Sequence, residues 1–274
     1  MIVFPHCKIN LGLHITAKRA DGYHNIETIF YPVPFSDLLE VIPQQTENGL
    51  TLEQTGIPIA GSSKDNLCVK AYQQLKNDFS ALPAITIYLH KQIPTGAGLG
   101  GGSADGAFML KLLAERFELP VKKSELARYA LMLGSDCPFF LENSPMLATG
   151  RGENMRPVAV DLKGWHLVLL LTGLHVSTKE AFQNCEPRHP KHSLENAILQ
   201  PVETWREVLI NQFEETVFLH HPGLAQLKRS LYEQGAVYAS MTGTGSTVFG
   251  LFSQAPDAML LGEELGCTVR VIQL

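Results

Sequence analysis

Alternation of apolar and polar residues predicts four strands in the first third of the chain. Residues 8–16 alternate and then reach the turn-forming residues 20–22, which is typical of a strand that ends in a turn. Shorter stretches at residues 25–32, 38–42 and 85–90 are rich in apolar, β-branched and aromatic side chains, and they predict the other three strands.

Helical spacing of apolar residues predicts three helices in the first half of the chain. We expect Asp65 to cap a helix over residues 67–79, because a carboxylate there accepts from the free N–H groups of the first turn. Ser103 is the expected start of a second helix, and Ser124 is the expected cap of a third that ends at Gly134.

The second half of the chain combines strands with longer amphipathic segments. A strand at residues 166–171 leads to a polar segment, residues 178–192, that is rich in proline, histidine and charge. Two amphipathic helices are expected over residues 202–218 and 222–234. A strand, a turn rich in glycine and threonine at residues 241–247 and two final strands complete the pattern.

Strands and helices in this order predict an α+β fold. The length of 274 residues is sufficient for two ordinary domains or one large one. Because the character of the sequence changes near residues 155–163, we expect two domains, over residues 1–157 and 158–274.

Composition limits the classes of function. Apolar residues make up 45% of the chain and charged residues 18%, which is the balance of a globular protein. The net charge of −5 argues against general nucleic-acid binding. Five scattered cysteines without a CxxC pair argue against a disulfide scaffold and a zinc site, and they fit a reducing compartment. The N-terminus lacks the pattern of a signal peptide and the apolar runs are too short for a membrane, so we expect a soluble cytoplasmic protein.

Residues 94–107, PTGAGLGGGSADGA, place six glycines in and before a predicted helix. Glycine lets backbone N–H groups face a ligand at close range, and a helix N-terminus adds unpaired N–H groups and a partial positive charge. This glycine stretch therefore predicts a phosphate-binding loop. A flexible linker or a packing turn is the alternative.

Several known phosphate-binding motifs do not fit the glycine stretch. A P-loop requires a lysine after its last glycine, where this chain has Ser103, and the sequence has neither the HRD nor the DFG motif of protein kinases. Gly96, Gly98 and Gly101 match GxGxxG, which leaves a dinucleotide-dependent oxidoreductase open. The alternating βαβ pattern of that fold is missing from the sequence.

Three further regions of the sequence narrow the choice of protein family. They are KINL with RADGYH at residues 8–11 and 19–24, LGSDCPFF at residues 133–140, and MTGTGS at residues 241–246. Together with the glycine stretch, and in this order, they resemble the 4-diphosphocytidyl-2-C-methyl-D-erythritol kinases, a branch of the GHMP kinases. Two positions depart from the usual pattern of that family, because AKIN is CKIN here and Gly-Ala-Asp is Gly-Ser-Asp.

This resemblance implies the GHMP kinase fold, with an N-terminal domain like the second domain of ribosomal protein S5 and a ferredoxin-like C-terminal domain. It implies an ATP-dependent kinase that phosphorylates the 2-hydroxyl of the small molecule 4-diphosphocytidyl-2-C-methyl-D-erythritol in the non-mevalonate isoprenoid pathway. Mg²⁺ is expected to bridge the ATP phosphates without a dedicated carboxylate cluster. Neither nucleic acid nor membrane is an expected partner, and the chain is expected to be a monomer or a homodimer. Another GHMP kinase and a non-catalytic nucleotide-binding regulator stay open.

The resemblance also implies roles for individual residues. Asp136 is the expected catalytic base and Lys8 its cationic partner, with a turn aspartate and a solvent-exposed strand lysine as the plain alternatives. ATP is expected to contact residues in and near the glycine stretch, namely Asn66, Lys91, Pro94, Gly96, Gly98, Leu99, Gly100, Gly101, Gly102 and Ser103. The substrate is expected to contact Asn10, Tyr23, His24, Thr178, Phe182 and Gly243. In this interpretation the cytosine stacks between Tyr23 and Phe182, and His24 hydrogen-bonds its edge.

Overall fold

The structure is a computed structural model that describes residues 1–44, 49–59, 61–190 and 192–274. The strands, in chain order, are β1 Ile2–Val3, β2 His6–Lys18, β3 His24–Ser36, β4 Leu38–Pro43, β5 Leu50–Gly56, β6 Ile85–Lys91, β7 Met146–Gly150, β8 Asn154–Pro157, β9 His166–Leu171, β10 Tyr238–Met241, β11 Val248–Phe252 and β12 Thr268–Gln273. The α-helices are α1 Leu67–Asp78, α2 Gly101–Arg116, α3 Lys123–Leu133, α4 Phe139–Glu142, α5 Thr178–Asn184, α6 Leu194–Ile198, α7 Trp205–Val208, α8 Glu214–His220, α9 Pro222–Glu233 and α10 Ala258–Leu265.

Contacts within the chain divide it into two compact units, each built from separate segments. The first unit contains Met1–Cys7, Phe35–Thr95 and Gly100–Asn143. The second unit contains Lys8–Pro34, Gly96–Leu99 and Ser144–Leu274. The glycine stretch is therefore shared, with its middle in the second unit and its two ends in the first. The division into two continuous domains at residue 157 stays a prediction.

The first unit combines a four-stranded sheet with the helices α1 to α4. The strand order is β1-β4-β6-β5, with β4 antiparallel and β5 parallel to β6. Ile85, Ile87 and Leu89 of β6 are buried while the side chains between them are more exposed. This is the period of two that predicts the strand from the sequence. The helix α2 contacts β4 and α1, so the glycine stretch leads into the core of this unit.

The second unit contains two four-stranded sheets, in the orders β2-β3-β7-β8 and β10-β11-β9-β12. In the latter sheet the described pairs are all antiparallel. Val168 and Leu170 of β9 lie in one hydrophobic core with Phe213, Met241 and Val248. This core fixes the end of β10, where the glycine- and threonine-rich turn begins.

The helix α1 begins at Leu67 as predicted, but the predicted cap or start residue of α1, α2 and α3 was wrong by one or two residues. Asn66, not Asp65, caps α1, because its side-chain oxygen accepts a hydrogen bond from the backbone of Cys68 at 2.9 Å. The helix α3 begins before Ser124, and Glu125 accepts a hydrogen bond from the backbone N–H of its N-cap residue at 2.9 Å. Ser103 lies inside the first turn of α2 and does not cap it.

The helix predicted over residues 202–218 is wrong, because the structure interrupts it. A 3₁₀ turn, Val202–Thr204, leads into α7, and residues 209–213 separate α7 from α8. The backbone in the interruption pairs with β2 instead: the N–H of Leu13 donates to the carbonyl of Ile210 at 2.9 Å, and the N–H of Gln212 donates to the carbonyl of Leu13 at 2.8 Å. Hydrogen bonds to a distant strand therefore replace the helical ones.

The apolar runs of the chain are short, as the sequence indicates. The six residues HLVLLL of β9 form the longest strand of the sheet to which they belong, together with β12. Among residues 1–44, 49–59, 61–190 and 192–274, no helix has both the length and the apolar character needed to cross a membrane.

Candidate active site

A network of polar side chains starts on β2 in the second unit. The ammonium group of Lys8 donates to Asn10 Oδ1 at 2.6 Å and to the carbonyl oxygen of Gly98 at 2.8 Å. The centroid of the Phe30 ring lies 5.2 Å from the same nitrogen. Because Lys8 is only 3% exposed, its interpretation as a solvent-exposed strand lysine is wrong. Lys8 and Asn10 meet because side chains two residues apart share one face of a strand.

Asn10 is buried inside this network. Its Nδ2 donates to the hydroxyl of Thr28 at 2.9 Å, and that hydroxyl donates to the carbonyl of Gly12 at 2.6 Å. Its Oδ1 also lies 3.0 Å from the hydroxyl of Thr242. Asn10 therefore holds the Lys8 ammonium in place, and its contact with a substrate stays a prediction.

Two glycines let two loops of the second unit touch through their backbones. Gly98 has a φ of +79°, and a Cβ there would lie 2.0 Å from the carbonyl oxygen of Thr242. Gly243 has a φ of +56°, and a Cβ there would lie 3.2 Å from the Cα of Gly98. The N–H of Thr247 donates to the carbonyl of Ala97 at 3.2 Å. Loop packing alone therefore requires glycine at positions 98 and 243, and their ligand contacts stay predictions.

Asn211 supports these loops and was missed by the sequence analysis. Its Nδ2 donates to the carbonyls of Met241 at 2.6 Å and Gly243 at 2.8 Å, while its Oδ1 accepts from the N–H of Phe213 at 3.0 Å. The side chain is fully buried. The one signal in the sequence was an asparagine, a weak helix former, in the middle of a predicted helix.

The last glycines of the stretch begin α2 in the first unit. Gly100 precedes the helix with a φ of +71°, which glycine adopts without strain. A Cβ at Gly101 would lie 2.7 Å from the side chain of Ile93, so this glycine is required for packing. At Gly102 no atom lies within 4 Å of the Cβ position. Because the first N–H groups of a helix lack helical partners, Gly102 leaves room for a ligand beside free donors.

Asp136 is half-buried in the turn between α3 and α4, in the same unit as the start of α2. The turn is held by the N–H of Cys137, which donates to the carbonyl of Gly134 at 3.1 Å, and by the N–H of Phe139, which donates to the carbonyl of Asp136 at 3.2 Å. Burial raises the pKa of the Cys137 thiol to about 12, although a hydrogen bond with Ser103 opposes the shift. Cys137 therefore stays a neutral thiol that links this turn to α2, and the role of Asp136 as a base stays a prediction.

Lys91 contacts two buried aspartates inside the first unit. Its ammonium donates to Asp105 at 2.7 Å and also to Asp37, and all three side chains are buried. Burial lowers the pKa of Lys91, but the two carboxylates outweigh it and raise the pKa overall. Asp37 also accepts from the backbone N–H groups of Gln92 at 2.6 Å and Ile93 at 2.9 Å. The Lys91 ammonium is therefore engaged by two aspartates inside its own unit, and its contact with ATP stays a prediction.

Asn66 and Pro94, two further predicted ATP contacts, lie in the first unit with α2. Both are half-buried. The side-chain oxygen of Asn66 caps α1. Its side-chain amide nitrogen is therefore the group that a nucleotide would meet. The contacts of both residues with ATP stay predictions.

The middle of the glycine stretch is anchored in the second unit. The carbonyl of Leu99 accepts from the backbone N–H of Lys8 at 3.0 Å, and the Leu99 side chain is fully buried. A Cβ at Gly96 would lie 3.1 Å from the ring of His175. Both residues therefore position the stretch against its own unit, and their contacts with ATP stay predictions.

The second unit also brings together two of the three residues expected around a cytosine. The rings of His24 and Phe182 are stacked, with centroids 5.1 Å apart and planes 21° apart, and Phe182 packs edge-on against Phe213. Burial, followed by the charge of Lys18, lowers the pKa of His24, which favours the neutral ring. Tyr23 is 56% exposed. The His24 ring covers one face of Phe182, and a cytosine between Tyr23 and Phe182 stays a prediction.

The helix α5 carries Phe182 and begins at Thr178. The hydroxyl of Thr178 lies 3.3 Å from the hydroxyl of Thr244, in the loop that Asn211 supports. This contact places α5 next to the glycine- and threonine-rich turn within the second unit. Substrate contact by Thr178 stays a prediction.

Among the described residues, the start of α2 has room for a phosphate. No group of three or more His, Cys, Asp or Glu that could hold a metal occurs in the part of the chain that the structure describes. The open Cβ position of Gly102 at the start of α2 fits a phosphate.

Comparisons with known proteins agree with this architecture. The model of the GHMP kinases N terminal domain matches residues 66–143, and the GHMP kinases C terminal model matches residues 196–267. A 4-diphosphocytidyl-2-C-methyl-D-erythritol kinase of Bacteroides thetaiotaomicron is 50% identical over 98% of this chain and 97% of its own length. The enzyme of that name from Chlorobium limicola is 36% identical over 94% of this chain and 92% of its own length.

Solved structures give the same result. A crystal structure of 4-(cytidine 5'-diphospho)-2C-methyl-D-erythritol kinase has a TM-score of 0.85 at 29% identity, covering 99% of this chain and 98% of its own. A mevalonate kinase of Methanococcus jannaschii has a TM-score of 0.73 at 14% identity, covering 100% of this chain and 98% of its own, a likeness of fold alone. The predicted α+β fold of the GHMP kinases is confirmed. The chain belongs to the GHMP kinases, in the family of the 4-diphosphocytidyl-2-C-methyl-D-erythritol kinases.

Proposed function

We propose that this chain transfers the γ-phosphoryl group of ATP to the 2-hydroxyl of 4-diphosphocytidyl-2-C-methyl-D-erythritol, a step of the non-mevalonate isoprenoid pathway. The observation that carries the proposal is 50% identity, over 98% of the chain, to an enzyme of that name. The burial of Lys8 in an ordered network supports it, because a buried ammonium is a costly feature that a structural strand does not need.

Asp136 acts as the general base in the proposed reaction. Its carboxylate takes the proton of the attacking hydroxyl while the oxygen of that hydroxyl bonds to the γ-phosphorus and the bond from the γ-phosphorus to the β-γ bridging oxygen breaks. ADP leaves with that bridging oxygen. Lys8 supplies positive charge to the transferred group, and Asn10 and the carbonyl of Gly98 set the direction of its ammonium.

The start of α2 binds the ATP phosphates in this proposal. Gly102 gives a phosphate close access to the backbone, and Ser103 adds a hydroxyl. Asn66 lies on the nucleoside side of the site. Mg²⁺, bound with ATP, would neutralise charge at the phosphates. The described residues contain no group of three or more His, Cys, Asp or Glu that could hold it.

The second unit recognises the cytidine part of the substrate. Tyr23 and Phe182 provide aromatic surfaces for the base, and the neutral ring of His24 provides a hydrogen-bonding edge. Thr178 and Gly243 border the same region. The enzyme acts in the cytoplasm, where thiols stay reduced, which agrees with five free cysteines. It works as a monomer or a homodimer.

A coupled ADP-release assay with purified protein tests the proposed function. With ATP in excess, ADP release is expected with 4-diphosphocytidyl-2-C-methyl-D-erythritol and not with mevalonate or homoserine. Faster turnover of mevalonate or homoserine would assign the chain to another GHMP activity. Calorimetric binding of NAD in preference to ATP would overturn the kinase assignment, and ATP binding without any ADP release would indicate a nucleotide-binding regulator.

A further inference from the structure

Two turns of the second unit lie side by side at one end of the sheet β2-β3-β7-β8. One turn, residues 19–23, joins β2 to β3, and the other, residues 151–153, joins β7 to β8. The strands β3 and β7 are antiparallel, with Ile26 opposite Gly150. The beginning of β3 therefore lies against the end of β7, which makes the two turns neighbours.

Arg151, in the second of these turns, covers one face of the Tyr23 ring. Its guanidinium carbon lies 5.0 Å from the ring centroid, within the range of a cation–π contact. Glu153 pairs with the arginine, with Oε1 at 3.6 Å from Arg151 Nε, and it accepts a hydrogen bond from the Arg151 backbone. The Arg151 side chain is 32% exposed and the Glu153 side chain 19%. The arginine is therefore held in place rather than free in solvent.

The backbone of the first turn is already fixed without Arg151. The side chain of Arg19 donates to Asp21 at 3.1 Å and 3.0 Å, and Asp21 accepts from the N–H of Tyr23 at 3.1 Å. The carbonyl of Tyr23 accepts from the backbone of Arg19 at 2.8 Å. These bonds fix the position of the Tyr23 backbone but not the orientation of its ring. A contact on the face of the ring therefore has a separate effect on that orientation.

A planar ring that meets a cation on one face has only its opposite face left for another flat group. We propose that Arg151 is a positioning residue for nucleobase recognition: it stacks on Tyr23 and holds that ring so that its opposite face receives the pyrimidine base of the substrate. This inference rests on the proposed function for the identity of the base. The class of ligand is a pyrimidine nucleoside diphosphate.

The energetic effect of Arg151 is on binding rather than on chemistry. An exposed tyrosine side chain loses rotational freedom when a base stacks on it, and a ring already held by a cation has less to lose. Removal of the cation therefore weakens the substrate complex and its transition state to the same extent. The expected result is a higher KM for the nucleotide substrate with unchanged kcat.

The test compares Arg151→Gln and Arg151→Lys with wild type in the ADP-release assay. Arg151→Gln is expected to raise the KM for the diphosphocytidyl substrate roughly two- to fivefold, the range of an exposed cation–π contact, with kcat and the KM for ATP unchanged. Arg151→Lys keeps a cation and is expected to recover most of the affinity. Arg156→Gln is the control, because it removes the same charge at another position. Arg156 lies on β8 and pairs with Glu195.

The decisive measurement is a double-mutant cycle with Tyr23. In a Tyr23→Ala background, Arg151→Gln is expected to have no further effect on KM, because the arginine acts through the ring. An equal effect with and without Tyr23, or an unchanged KM in Arg151→Gln, would overturn the inference. Calorimetry with CDP alone measures the same cycle without turnover, so the inference is tested even where the ADP-release assay contradicts the proposed function.

Discussion

Lys91, the last residue of β6, donates a hydrogen bond to Asp105 on α2, with 2.7 Å between Nζ and Oδ2. This bond joins the strand before the glycine stretch to the helix after it. Asp37 completes the cluster, because it binds the Lys91 ammonium and also accepts from the N–H groups of Gln92 and Ile93. Both ends of the stretch within the first unit are thus tied to one buried group of charges.

The pKa of Asp105 makes stability depend on pH. Burial and the charge of Asp37 raise this pKa to about 8, against the opposing charge of Lys91, whereas in an unfolded chain it is about 3.9. The folded protein therefore keeps a proton that the unfolded chain releases, and its stability falls as pH rises through that window. Asp105→Asn mimics the neutral acid and should remove this part of the pH dependence.

Urea unfolding of wild type and Asp105→Asn at about pH 5 and about pH 8 checks this sign. We compare the free energy of unfolding of the variant with that of wild type at each pH. The difference, variant minus wild type, is expected to increase by about 1 kcal/mol or more from the lower pH to the higher. Asp161→Asn, at an exposed position, should follow wild type at both values. A constant difference between Asp105→Asn and wild type would show that Asp105 is ionised in the folded protein.

Asp136→Asn keeps the size of the side chain and removes its ability to take a proton. We expect kcat to fall by roughly 10²–10⁴-fold, the usual effect of removing a general base. ATP affinity should stay within a few-fold, because Asp136 is not among the residues proposed to bind the phosphates. Stopped-flow or steady-state ADP release gives kcat, and calorimetry gives the ATP affinity. Turnover near the wild-type rate would remove Asp136 from the mechanism.

The sequence predicted elements where the pattern of apolar residues within one segment is sufficient. The strands β2 and β6 and the helices α1 and α2 follow from their own apolar patterns, and Lys8 and Asn10 share one face of β2 because they are two residues apart. The Lys91 cluster was not predictable, because Asp37 is distant in sequence and a lysine before a phosphate loop suggests a ligand contact. The interruption at Asn211 was likewise hidden, because it depends on bonds to β2 and to the loop after β10.

The glycines of the stretch are required for different reasons, and a substitution at Gly102 tests ligand access separately from packing. Gly101 packs on Ile93, so Gly101→Val should damage the fold itself. Gly102 has no atom within 4 Å of its Cβ position, so Gly102→Val should leave stability unchanged while it obstructs a phosphate. We expect the KM for ATP to rise by about tenfold or more, since a lost charge-assisted hydrogen bond alone is worth about that factor.

Gly223→Val is the matched control for this substitution. Gly223 is the second residue of α9, as Gly102 is of α2, and its Cβ position is equally open. The control should bind ATP as wild type does and unfold at the same temperature. An unchanged KM for ATP in Gly102→Val would mean that phosphate does not approach α2 at this position.

Asn211→Asp tests whether the loop after β10 depends on one buried amide. The substitution leaves Oδ1 in place but replaces the group that donates to Met241 and Gly243 with a buried carboxylate oxygen facing two carbonyls. The free energy of unfolding is expected to fall by about 2–4 kcal/mol. Urea unfolding measures the loss. Asn184→Asp makes the same change at an exposed position and should cost little, and an equal small effect at both sites would contradict this account.

The last prediction concerns the choice of base. Cytosine and uracil differ in which edge atoms donate and accept, and a site that hydrogen-bonds these atoms rejects the analogue that leaves them unpaired. The lowered pKa of His24 keeps its ring neutral near pH 7, so one nitrogen donates and the other accepts. We expect kcat/KM for the cytidine substrate to exceed that for its uridine analogue by about 100-fold or more.

Phe182→Leu separates stacking from this edge recognition. Leucine keeps apolar contact with the core around Phe213 but removes the aromatic face, so both nucleotide substrates should bind more weakly by about 1–3 kcal/mol while their ratio is kept. Phe218→Leu, which makes the same change at another phenylalanine packed against this core, is the control for packing. The KM for ATP should stay unchanged in both variants. Equal turnover of the cytidine and uridine substrates by wild type, with no effect of Phe182→Leu, would mean that these residues do not bind the base.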